Sequence, residues 1–472
     1  MLEPRRLAGI LILLILWLAW APLARAEVRE LSLDECIRLA LTANTDVSKG
    51  RLDRLLARLD KEIGQAYFHP DLYLYPSTDY KTDEEGRLRL KLGSDLVQRL
   101  PTGGELRLSW DNSFNRYTGE GDQDWTSGVG VRLSQPLLRG AGLRVGTAAV
   151  VLSGLEDEES RWRFERVLTS LITLLQKAYW NLLYATEGLK VAQDSLEVSR
   201  RLLEERQAAA KDIDTADLEA EVASGELEVY NRSLAVTKAN LRLLDLMDVK
   251  GLSGVRPKGG FELRPVALDQ ERFLRIALER RPDLKIARVA AEIARLRKDL
   301  ADSNAKTDLD LVVRAATRAT EDELAEAAGQ AYDLGEEWIV GLAAELRFGV
   351  PDRRRDAVAA DYRLRKAELD LAERLQSVEN DVTTAVESLR RSLKSIELAQ
   401  RSTRLAERKT EVARQGLERG EVKELKVLIY QRDLTAARLA EYRAMVNYLD
   451  DLADLDEAMG TTLETWRVEV GP

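Results

Sequence analysis

Two long stretches of this chain lack proline: none falls between Pro136 and Pro257, and none between Pro351 and the terminal Pro472. Proline inside a helix removes a backbone hydrogen bond and collides with the preceding turn. Both stretches are dense in Ala, Leu, Glu, Lys and Arg, which are strong helix formers. They can therefore sustain helices far longer than a globular core requires. Cysteine occurs once, at Cys36, so no intrachain disulfide can form and packing alone must hold the fold. Histidine also occurs once, at His69, beside Pro70. Metal and nucleophile sites need convergent groups, so a structural role for His69 outweighs a catalytic one. Four methionines and one cysteine are too few for a soft-metal path. No enzyme, cofactor or metal site is expected.

The chain opens with Arg5 and Arg6, then an uncharged stretch from Leu7 to Ala24, then Ala24-Arg25-Ala26, which has the small-x-small form of a signal-peptidase site. Residues 1–26 read as a signal peptide, with Glu27 first in the mature chain. An uncleaved anchor is the competing reading, because the stretch approaches a spanning length. Pro22 and the cleavage pattern weigh against it. Cys36 lies too far from Ala26 to be a lipoprotein cysteine. Beyond Glu27 no apolar run is long enough for a membrane helix, so an exported chain is either soluble or inserts through β-strands. Removing the signal segment makes the net charge of −10 more negative still, which argues against nucleic acid as a partner.

What fills the chain is a repeat. Ser32-Leu33-Asp34-Glu35 has the spacing of a capping box, followed by Ile37, Ala40, Leu41 and Asn44. At an offset of 237 come Leu274, Ala277, Leu278, Arg281 and Pro282. Two copies of one unit are expected: 27–250, a glycine- and proline-rich linker at 251–265, and 266–472. Period-two alternation predicts strands at Asp71 to Tyr80, Val129 to Gln135, Asp308 to Thr317 and Trp338 to Val350, the second and fourth leaving at Gln135-Pro136 and at Pro351. The first half also holds alternating runs around Leu88 to Leu92 and Leu106 to Trp110. They flank Pro101-Thr102-Gly103-Gly104 and read as an added hairpin. Among its aromatics, Trp110, Phe114, Tyr117 and Trp125 fit either an interfacial belt or hairpin packing.

Apolar and small residues then recur in steps of three and four, from Leu182 to Leu203 and from Leu389 to Leu417, as a close-packed coiled coil requires. Each run turns back, near Ala210-Lys211-Asp212 and near Arg419-Gly420-Glu421. Paired acids such as Glu204-Glu205 and Asp450-Asp451 read as solvated helix faces.

With these elements in order, the chain resembles the TolC-like outer-membrane efflux proteins over its whole mature length. The likeness rests on Leu31-Ser32-Leu33-Asp34-Glu35 with Ala40-Leu41 and Asn44, on Ser134-Gln135-Pro136-Leu137-Leu138-Arg139-Gly140, on Ala178-Tyr179 as a helix start, and on Gly420 at the second turn. It implies a mainly α fold with an internal two-fold repeat: long antiparallel coiled-coil hairpins forming an α-barrel, and a few transmembrane strands completing a trimeric β-barrel of twelve strands, four per chain. The implied function is the passive exit duct of a tripartite efflux or type I secretion system, driven by an inner-membrane transporter through a periplasmic adaptor. Lys211, Asp212, Arg419, Gly420 and Glu421 would then form the docking tips. Where the family commonly places an acidic ring after the second tip, this chain has Lys426 and Ile429. The alternative is a periplasmic or surface coiled-coil interaction protein without channel activity.

Overall fold

The computed structural model describes residues 27–81, 87–117, 122–209, 215–331, 338–346 and 352–470. In chain order the elements are β1 (Glu27–Leu31), α1 (Leu33–Ala43), α2 (Thr45–Gln65), β2 (Asp71–Lys81), β3 (Arg87–Arg99), β4 (Glu105–Tyr117), β5 (Gln123–Pro136), α3 (Leu143–Gly146), α4 (Ala148–Ala209) and α5 (Ala216–Met247). There follow β6 (Leu252–Pro257), α6 (Gln270–Arg280), α7 (Pro282–Asn304), β7 (Asp308–Glu321), α8 (Leu324–Gln330), β8 (Trp338–Glu345), α9 (Asp352–Glu418), α10 (Glu424–Met459) and α11 (Thr462–Thr465). The chain divides into two compact units. One holds the residues up to Arg51, Phe164–Pro282 and those from Leu375 onward; the other holds Leu52–Arg163 and Asp283–Arg374. Each unit draws on both halves of the sequence.

The repeat is visible in how the helices begin and end. Ser32 caps α1 with a complete capping box: its N–H donates to Glu35 Oε2 at 2.7 Å, and its Oγ accepts from Glu35 N at 3.3 Å. At the same offset of 237, Asp269 caps α6 by accepting from Arg272 N at 3.0 Å. Both helices have 11 residues, and both close on a non-helical residue, Asn44 at ψ 130° and Arg281 at ψ 122°. Asn44 then begins the next helix, because its Oδ1 accepts from Asp46 N and Val47 N, while its Nδ2 donates to Leu246 O at 2.9 Å. One buried amide so ends one helix, starts another and ties both to α5.

In the first unit the core gathers Cys36, Ile37, Ala40, Val47, Ile172, Leu175, Leu182, Leu243 and Met247 around Tyr179. The segment read as a linker contributes β6, which pairs in parallel with β1. Ala178-Tyr179 is not a helix start; it lies deep inside α4. The Tyr179 hydroxyl sits 2.9 Å from Lys258 O and 3.2 Å from Leu31 O, so it pins both strand ends to the helix. Burial pushes this hydroxyl up to about 12 and the Cys36 thiol likewise to about 12, which leaves Cys36 a packed, unreactive group.

The expected coiled-coil seams are the buried ones. Leu182, Ala185, Ala192, Leu196 and Ser199 are buried along α4, and Leu389, Ser392, Ile396, Thr403, Thr410 and Ala413 along α9. On α9 the threonines hold the register as well as fill space. Thr403 donates to Ala437 O at 3.3 Å and Thr410 to Tyr430 O at 3.0 Å, so a seven-residue step on α9 matches a seven-residue step on α10.

The second unit contains one antiparallel sheet in the order β2-β3-β4-β5-β7-β8. This corrects the count of four strands implied by the family resemblance. The added hairpin is β3 and β4, inserted between β2 and β5 with continuous ladders on both sides. Its turn closes through Leu100 N to Gly104 O at 2.8 Å and Gly103 N to Leu100 O at 2.9 Å. Strand β8 ends at Glu345 with Leu346 beyond it, and the rest of the predicted continuation, to Val350 and the exit at Pro351, lies outside the described residues.

Candidate functional site: a two-faced sheet and a hairpin tip

Successive side chains on a strand point to opposite faces, and the ladders align the six strands row by row. One row reads Leu72, Leu96, Leu108, Val131, Ala315, Trp338 across the whole sheet. Its neighbours on the same face include Leu74, Leu90, Leu92, Leu106, Trp110, Val129, Leu133, Val313, Val340 and Leu342. Among the described residues the only charges on this face are Arg116 and Glu321, near strand ends. More than half of the surface of Leu72, Leu74, Trp338, Val340 and Leu342 is exposed. A wide, exposed apolar sheet face with charges only near its strand ends is what lipid, or another protein, would cover.

Of the aromatics in the added hairpin region, Trp110, Phe114 and Trp125 lie on this apolar face, with the Phe114 and Trp125 rings 4.7 Å apart. Tyr117 points to the other face, where the Arg87 guanidinium lies 5.9 Å from its ring. Two polar groups of the apolar face are partnered locally, while the buried Asn112 Oδ1 has no partner among the described residues. Trp110 Nε1 donates to Ser127 Oγ at 3.4 Å, and Thr317 donates to the carbonyl of Ala331, just beyond α8.

The opposite face is polar. Its adjacent row reads Asp71, Val97, Arg107, Arg132, Arg314, Ile339. A groove runs over this face, lined by Arg89, Lys91, Arg107, Asp111, Arg132, Arg314 and Arg318, among others. Asp71 is held by Arg99 at 2.8 Å, Asp95 and Glu105 by Arg107 at 3.0 and 2.9 Å, and Asp111 by Lys91 at 3.4 Å. Gln135 and Pro136 end β5 at the foot of the sheet. Thr102 Oγ1 lies 2.7 Å from Gln135 Oε1, and Gln135 Nε2 donates to Thr102 O at 3.2 Å, so the strand exit is locked to the turn of the added hairpin.

At the second tip, in the first unit, α9 ends in a Schellman motif. Glu421 N donates to Gly416 O at 2.8 Å and Gly420 N to Leu417 O at 2.9 Å, with Gly420 at φ 76°. An L side chain at that backbone angle is strained. Gly416, which sequence reasoning passed over, is needed for a different reason: a Cβ there would sit 2.7 Å from Val422 Cγ2. Its spacing of four from Gly420 was the available signal. Beneath the tip Leu202, Leu218, Ala413, Val427 and Leu428 pack together, and Arg206 pairs with Glu424 at 3.1 Å, tying the two hairpins. Arg419 and Glu421 form an exposed pair at 3.4 Å. Lys426 and Ile429 are exposed, so no acidic ring stands at their positions. Lys211 and Asp212, like Ala24 and Ala26, lie outside the described residues, while Glu27 begins β1. Among the described residues no helix is long and apolar enough to cross a membrane, and no cluster of His, Cys, Asp or Glu could hold a metal ion.

The chain thus joins a sheet with one apolar and one polar face to two long helical hairpins. Residues 273–461 match the outer membrane efflux protein family. Over the chain as a whole the fold is similar to the open-state outer membrane channel MtrE of Neisseria gonorrhoeae, at 19% identity and TM-score 0.65, covering 91% of this chain and 89% of that one. It is similar also to the outer membrane channel CmeC of Campylobacter jejuni, at 16% identity and TM-score 0.66, covering 91% and 86%. A third is the outer membrane protein VceC of Vibrio cholerae, at 17% identity and TM-score 0.65, covering 91% and 96%. No curated protein sequence matches the chain. The second half thus carries the sequence pattern of the outer membrane efflux proteins, and the whole chain carries the TolC-like fold.

Proposed function

We propose that the chain is a passive exit duct of the outer membrane: a homotrimer whose sheets close one β-barrel in lipid and whose helical hairpins stand in the periplasm. The observation that carries this reading is the sheet with two open edges and an outer face whose charges lie only near strand ends. In lipid every unpaired backbone group costs several kcal/mol, and the free edges of β2 and β8 would together expose on the order of 20 such groups. That total exceeds a typical folding stability of about 5 to 15 kcal/mol. The edges must therefore be covered. Six antiparallel strands make β2 and β8 run oppositely, so β2 of one copy can continue the ladder from β8 of the next.

Three copies would close a barrel of roughly 18 strands, in the size range that encloses an aqueous channel. The driving force for export would come from an inner-membrane transporter coupled through a periplasmic adaptor, with Arg419, Gly420 and Glu421 at the second tip and Lys211 and Asp212 at the first as the docking surface. Residues 1–26 serve as the signal peptide, cleaved before Glu27, and 27–250 and 266–472 are the two structural repeats. Fractionation tests the placement. The protein should pellet with outer membrane and leave it only in detergent, whereas recovery from the soluble periplasm would favour a coiled-coil interaction protein.

A further inference from the structure

Arg107, Arg132 and Arg314 stand side by side on three neighbouring strands of the polar face, each opposite the next in the ladder. Like charges directly opposite one another destabilise a sheet. Arg107 is compensated by Asp95 and Glu105. Arg132 and Arg314, with Arg318 two pleat repeats farther along β7, are exposed and make no ion pair or hydrogen bond among the described residues. Their neighbours on these strands are small: Ser109, Gly130 and Ala316 form the row between them, and Gly128 stands opposite Arg318. From the row of Arg99 to that of Lys91, six cations face four carboxylates, and all four carboxylates are already held by Arg99, Arg107 and Lys91. The cationic excess is local, in a chain whose net charge is −10.

From this juxtaposition we infer that the inner face of the sheet is an anion-attracting belt, in which Arg132, Arg314 and Arg318 favour passage of solutes bearing carboxylate, sulfonate or phosphate groups. The inference rests on the duct reading above. Cations lining a low-dielectric wall concentrate counter-ions, and rings of Arg or Lys select anions in pores. A bulky solute feels the belt through the two planar guanidinium forks that stand opposite each other, Arg132 and Arg314, which suit bidentate contact with an oxyanion. A packing role does not explain these side chains, since none is buried. A role in sheet pairing does not either, since their repulsion opposes it.

The test is the reversal potential of the full-length protein in a planar lipid bilayer under a tenfold KCl gradient, with the dilute side near 30 mM so that screening is weak. The wild type should pass chloride about threefold more readily than potassium, a preference of the size such fields produce. Arg132→Gln with Arg314→Gln should bring that ratio to about one, and Arg132→Lys with Arg314→Lys should keep it. Conducting pores that prefer potassium, or a preference unchanged in the glutamine variant, would overturn the belt while leaving the duct intact. Folded oligomer that inserts and conducts nothing would overturn both.

Discussion

Replacing Asp450 with asparagine should stabilise the protein at neutral and alkaline pH and do little in acid. Asp450 lies on α10 with its Oδ1 buried and without a hydrogen-bond partner. Burial, first, and the nearby Asp454 and Asp451 push its carboxyl up from 3.8 to about 7, against the pull of Lys177 and Arg443. Lys177 cannot compensate fully because it is engaged with Asp454 at 2.5 Å. The folded state therefore binds a proton that the unfolded state has released between pH 3.8 and 7, so stability is present below that window and is lost as pH rises through it. A displacement of this size corresponds to about 4 kcal/mol, and partial access to water halves it to about 2 kcal/mol. Roughly two-thirds of the loss should develop between pH 5 and pH 8. For a chain of this length that is a melting-point gain of about 2 to 4 °C for Asp450→Asn at pH 8. Thermal unfolding of the detergent-solubilised wild type and variant, compared at pH 5 and pH 8, isolates this group from the other carboxylates. A variant no more stable than wild type at pH 8, or a gap that narrows as pH rises, would refute the reasoning.

Two further outcomes follow from particular contacts. Gly420→Ala forces an L residue into the left-handed region and should cost about 1 to 2 kcal/mol, read as faster tryptic cleavage after Arg419 with the rest of the chain intact. Tyr179→Phe leaves the carbonyls of Leu31 and Lys258 without the hydroxyl donor, and should lower the melting temperature by an amount equivalent to about 1 to 3 kcal/mol; an unchanged melting temperature would mean that water replaces it.

Much of this fold was legible because its signals are local. The Ser32 and Glu35 capping box, the seven-residue repeat through Thr403 and Thr410, and the alternation of Val129, Val131 and Leu133 each depend on neighbours a few positions away. The added hairpin was legible as a hairpin but not as part of the sheet, since its position depends on ladders to strands on both sides. The family resemblance pointed to four strands, and only pairing could correct it to six. Asp450 and Asp451 read as a solvated pair because a charge pattern does not reveal which side of a long helix its packing partners cover; both carboxyls are raised by burial. The arginine row escaped notice for the same reason. Arg107, Arg132 and Arg314 are far apart in sequence, and only the register brings them together.

Whether separate copies complete one another's sheets is decided most directly by native mass spectrometry of the protein released from outer membrane in mild detergent. The account predicts a single species of three mature chains that dissociates only on denaturation. A folded, stable single chain that stays in solution without detergent would contradict it.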